Sequence, residues 1–103
     1  MKTGIELIAE ERKRQVEKEG WSSEHDDKHS YSELARAAAC YAIPSWFTHS
    51  RRMVFSIWPF EPEFFKRTAD NRVRDLVKAG ALIAAEIDRL NRAEEARVKE
   101  VGK

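Results

Sequence analysis

At 103 residues the chain has room for one domain and one modest core. Charged residues make up 36 % and apolar ones 42 %, the balance of a small helical protein with a heavily solvated surface. Lysine and arginine number 19 against 18 acids, so the net charge of +1 argues against a broad nucleic-acid surface.

The single cysteine, Cys40, rules out an intramolecular disulfide and fits a reducing cytoplasm. The N-terminus turns charged within its first turns, so no secretory signal is expected. No apolar run approaches the roughly 20 residues needed to span a bilayer. A cytoplasmic location follows as the expectation.

In chain order, Thr3-Gly4-Ile5-Glu6 is a capping-box pattern, threonine at the cap and glutamate three residues on. It predicts a helix over about 4–19 that stops at Gly20, with a thin apolar stripe of Ile5, Ile8, Ala9 and Val16. Next comes Gly20-Trp21 and the hexapeptide Glu24-His25-Asp26-Asp27-Lys28-His29, which holds two of the three histidines. It reads as a loop, because Ser30-Tyr31-Ser32-Glu33 looks like a second capping box opening a helix over about 31–43. That helix is mostly alanine and ends before Pro44, which predicts a central, buried element with Cys40 as a small packing residue.

Residues 44–70 carry seven of the ten aromatic residues and all three prolines. No period is evident there, so a long aromatic loop is expected, folded over the helices or presented to a partner. The last helix, about 71–91, starts at Asp70 and carries Val73, Leu76, Val77, Gly80, Ile83, Ala84, Ile87 and Leu90 at three- and four-residue spacing. Residues 1–92 then form one domain and 93–103 a charged helical tail. The fold class is all-α: a small bundle of three principal helices with the aromatic loop between the second and third.

Imidazole and carboxylate together are ligands for magnesium, manganese or zinc, and they also serve as general acids and bases. His25, Asp26 and His29 are therefore candidate metal ligands. A purely structural role for the hexapeptide, as a solvated turn, is the competing reading. On the last helix Asp75, Lys78, Leu82 and Glu86 share one line. A ligand site for a nucleotide or phosphate is expected to draw on Glu11, Arg14, Trp21, His25, Asp26, Asp27, His29, Lys66, Asp75, Lys78 and Glu86. Interhelical ion pairing uses the same residues with no chemistry. Trp46, Arg51, Arg52, Phe55 and Trp58 form a candidate partner-binding set, either for another protein or for a homodimer seam.

With Ile8-Ala9-Glu10-Glu11-Arg12, Gly20-Trp21, His25-Asp26-Asp27, His29, Glu33-Leu34-Ala35 and Asp75-Leu76-Val77-Lys78-Ala79-Gly80-Ala81, the chain resembles a family of small phage and prophage proteins of unassigned function. It departs from them around 45–55, which is rich in aromatic residues and arginine. It is also similar to MazG-type all-α nucleoside triphosphate pyrophosphohydrolases. The resemblance implies magnesium held by acids on two helices. Glu10-Glu11 with Glu33-Leu34-Ala35 stands in for the first motif, and Asp75-Leu76-Val77-Lys78 for the second, with lysine where an acid belongs. Two functions are expected from these readings. One is a nucleotide-handling protein, a binder or a weak metal-dependent pyrophosphohydrolase; the other is an inhibitor of a host defence system, such as an anti-CRISPR protein.

Overall fold

The computed structural model describes residues 1–47, 49–68 and 70–102, and among them the fold is all-α with no strand. Five α-helices follow one another: α1 (Gly4–Lys18), α2 (Ser23–Asp27), α3 (Glu33–Ala42), α4 (Ser50–Ile57) and α5 (Arg72–Val101). A single 3-10 turn, Pro62–Phe64, lies between the last two. No helix among the described residues is long and apolar enough to cross a membrane.

The capping box on α1 forms as its sequence requires: the Thr3 hydroxyl accepts the Glu6 N–H, and Glu6 Oε1 accepts the Thr3 N–H. The second expected box does not form. Glu33 Oε1 instead accepts the Tyr31 N–H, Ser32 takes a left-handed backbone, and α3 begins at Glu33. The hexapeptide is not all loop either, because the Ser22 hydroxyl accepts the His25 N–H and starts the short α2. Residues 50–57 wind into α4 inside the segment expected as a loop, and its last carbonyl, Ile57, accepts from Arg36 Nε on α3. On α5 the cap is Asn71, which accepts the Arg74 N–H, and Asp70 precedes it in a left-handed conformation. The helix continues unbroken through the expected tail to Val101.

The core is small and made largely of small residues. Leu34, Ala37, Ala38 and Tyr41 of α3 pack against Ala79, Leu82 and Ala85 of α5, with Trp21, Trp58, Phe60 and Phe65 closing the margins. Alanine on both helices lets the two backbones approach closely, so α3 is the central helix as its composition predicts. α1 lies on α5 where Ile8 seats against Gly80, a site with no room for a Cβ.

The two predicted apolar stripes are only partly covered, Ile8 meeting Gly80 and Val77 being buried. On α1 the buried side chains are Glu11 and Gln15, whereas Ile5, Ala9 and Val16 are exposed. On α5 the line of Asp75, Leu82 and Glu86 is buried, and Val73, Leu76, Ile83, Ile87 and Leu90 face outward. Periodicity identifies an apolar face; it does not say which neighbour covers it.

Candidate functional site

The acids singled out in the sequence are engaged at three places, Glu11, Asp26, Asp27 and Glu86 by arginine and Asp75 by a backbone N–H. Asp26 on α2 is fully buried; one carboxylate oxygen takes Arg12 Nη2 at 2.9 Å and the other faces His25 Nδ1 at 2.9 Å. Its neighbour Asp27 reaches Arg92 of α5 at 2.8 Å. Glu86 is paired three residues on with Arg89 at 2.6 Å, and both are buried. Arg12 thus ties α2 to α1, and Arg92 ties it to the C-terminal half of α5.

A second ionic group joins α1 to the N-terminal end of α5. Glu11 is bidentate to Arg14 and also receives Arg74 at 2.8 Å, while Gln15 Nε2 donates to its second oxygen. Burial raises the Glu11 pKa, but the two guanidinium partners outweigh it and hold the carboxyl below its ordinary value.

The third group serves the chain between α4 and α5. Asp75 accepts the Thr68 N–H at 2.8 Å, Lys78 donates to the Lys66 carbonyl at 2.6 Å, and the Tyr41 hydroxyl accepts the Lys66 N–H at 3.0 Å. Burial, with help from Arg74, lowers the Lys78 pKa. Lys78 and Asp75 therefore fasten residues 66–68 to the core. Lys78 and Arg92 are separated by about 21 Å along α5 at a rise of ~1.5 Å per residue, so Lys78 and the His25–Asp27 cluster occupy different ends of the buried face.

What the histidines do join is a chain of rings. Trp21 stacks on His25 at 5.7 Å between centroids, His25 meets His29 at 4.9 Å, and His29 meets Phe60 edge-on at 5.2 Å. Phe60 leads to Trp58, and Trp58 to both Phe65 and Tyr41. His29 also lies 3.6 Å from Glu33, within one turn. Edge-to-face contacts of this kind add modest stability beyond the area they bury, and here they weld α2 to the aromatic segment.

Past Trp58 the rings open into a groove of about 680 Å³ between α4 and the 3-10 turn. Phe55, Trp58, Phe60 and Phe65 form its apolar wall, and Arg51, Arg67, Ser45 and Ser50 its polar rim. Arg67 is already engaged: it donates to the carbonyls of Cys40 and Ile43 at the end of α3 and lies over the Phe65 ring. Arg51 and Arg52 are exposed on α4. Phe55 in the wall is 87 % exposed, and outside the groove Trp46 is 81 % exposed, with Phe47 and Phe64 also in solvent. Cys40 is buried beneath, and burial pushes its thiol pKa up, which suits a packing residue and not a nucleophile.

No protein-family model, characterised protein or solved structure matches this chain. Among the described residues no three His, Cys, Asp or Glu side chains gather in an arrangement suited to a metal ion. At His25, Asp26 and His29, a metal would have to displace Arg12 or His25 from the Asp26 oxygens. The arginines that complete these groups were not singled out by sequence reasoning, apart from Arg14. The Glu86–Arg89 pair was readable from its three-residue spacing. Arg12, Arg74 and Arg92 act across elements and leave no local signal.

Proposed function

We propose that this chain is a recognition protein that binds another protein through the aromatic and arginine face of α4, with no chemistry of its own. The observation that carries the reading is the exposure of Trp46, Phe47, Phe55 and Phe64 around an apolar groove. Rings of this size in water are costly unless a partner covers them, and aromatic side chains with arginine are the usual anchors of protein interfaces. Arg51 and Arg52 at the rim favour a partner whose docking segment is apolar with acidic flanks. If the chain is of phage type, inhibition of a host defence protein is the role that fits this surface.

A nucleotide is the second reading, and the size and walls of the groove favour it. About 680 Å³ is enough for a small molecule, rings can stack on a base, and Arg51 can meet a phosphate. It leaves Trp46 and Phe64 unexplained, since they lie outside the groove lining. Slow or absent hydrolysis goes with this reading, because Lys78 is tied to the chain at 66–68, Glu11 and Glu86 are paired with arginine and Asp75 holds the Thr68 N–H.

The test compares proteins retained from host lysate by the wild type with those retained by Phe55→Ala/Trp46→Ala and by Arg51→Ala. A partner retained by the wild type, lost with the ring variants and weakened by Arg51→Ala supports protein recognition. A thermal shift with nucleoside triphosphates and magnesium or manganese, abolished by Arg51→Ala with no such partner found, establishes the nucleotide reading instead.

A further inference from the structure

The face of α5 turned away from α3 is covered by α1 around Gly80 and is otherwise open. Val73, Leu76, Ile83, Ile87 and Leu90 lie on it, each between 45 % and 59 % exposed. With Gly80, which Ile8 of α1 already covers, they fall at alternating spacings of three and four, the 3.5-residue repeat of a helix that packs along another helix. No charged side chain interrupts these positions from Val73 to Leu90. Ile5 of α1, the helix lying over Gly80, is also exposed.

Two measures of size show that the chain exposes more surface than a compact monomer of its mass. A compact monomer of 12.0 kDa should expose about 6,000 Å². This chain exposes 7482 Å², an excess of roughly 1,500 Å². Its radius of gyration is 15.0 Å, where a compact chain of 103 residues should have about 13 Å. A protein–protein interface of ordinary size removes about 800 Å² from each partner, and permanent homodimers remove more. The aromatic face and the C-terminal turns of α5 share in this excess with the stripe, and its size is that of one permanent interface.

We infer that the covering partner is a second copy of this chain, packed α5 against α5 along Val73, Leu76, Ile83, Ile87 and Leu90. An uncharged stripe with a 3.5-residue repeat is complementary to its own image about a two-fold axis, so each copy supplies both the knobs and the holes. The small core within one copy points the same way. Its interhelical contacts are largely alanine, and of the larger aliphatic side chains of α5 only Val77 and Leu82 are buried. This inference is independent of the α4 reading, which concerns a different face.

Sedimentation equilibrium of the full chain tests it. The wild type should sediment at twice 12.0 kDa at micromolar concentration, and Ile83→Glu/Ile87→Glu should fall to 12.0 kDa with its helical circular dichroism retained. Phe55→Glu, on the aromatic face, should leave the dimer intact. If the glutamate pair fails to fold, Ile83→Ala/Ile87→Ala should still raise the dimer dissociation constant at least about tenfold. A wild type at 12.0 kDa up to its solubility limit overturns the inference. So does a dimer broken by Phe55→Glu and indifferent to both α5 pairs.

Discussion

Glu11 shows how the charge density of α1 is used. A helix so rich in acids and bases reads as a solvated face, yet Glu11 is the charged side chain α1 buries, beside Gln15, held by Arg14 and Arg74. Breaking a buried pair from one side leaves the partner charges uncompensated. Glu11→Gln should cost roughly 1–3 kcal/mol of stability at neutral pH, read by urea unfolding. Its acid dependence follows from the sign of the shift. The folded pKa of Glu11 lies below its ordinary 4.5, so its contribution is present above that value and is lost as pH falls through the folded one. Glu33 shifts the same way: burial raises its pKa, but N–H groups of Glu33 and Tyr31 and the nearby His29 outweigh it. The wild type should therefore lose stability below about pH 4.5, and Glu11→Gln should lose less over that span; equal slopes would contradict the pairing.

At the scale of the element, the sequence disclosed the helices whose ends carry chemistry and missed those set by context. Thr3 and Glu6 announce α1 because both capping contacts are local. The alanine run announces α3 because small residues suit a crowded centre. α2 and α4 were hidden for different reasons. One is five residues long and rests on a single serine cap; the other buries only Ser50 of its eight residues, so its apolar side chains show no core-facing pattern. The α5 stripe was legible as a repeat and misassigned as to its neighbour, since Ala79, Ala81 and Ala85 fill the buried side with little hydrophobic signal. The same burial pattern predicts an order of local opening. Amide hydrogens of α4 should exchange well before those of α3 and the middle of α5, because few contacts hold α4 down. Protection of α4 equal to that of α3 in the isolated chain would show that its aromatic face is already covered.

The whole molecule is built around α5, which carries α3 on one side and an apolar stripe on the other. The candidate site residues were legible as residue types but not as a place. Ion pairing with unforeseen arginines distributes them over two ends of α5, and the histidines join the aromatic segment through Trp21 and Phe60. The pairing along α5 inferred above predicts that a chain with so small a core depends on a second copy for stability. When folding and association are linked, the melting temperature rises with protein concentration. Following the thermal unfolding of α-helical circular dichroism over a hundredfold range of chain concentration tests this most directly. A melting temperature that climbs steadily with concentration is the predicted result. One cooperative transition at a fixed temperature across that range would contradict it, and would mean that a single copy is complete with the α5 stripe in water.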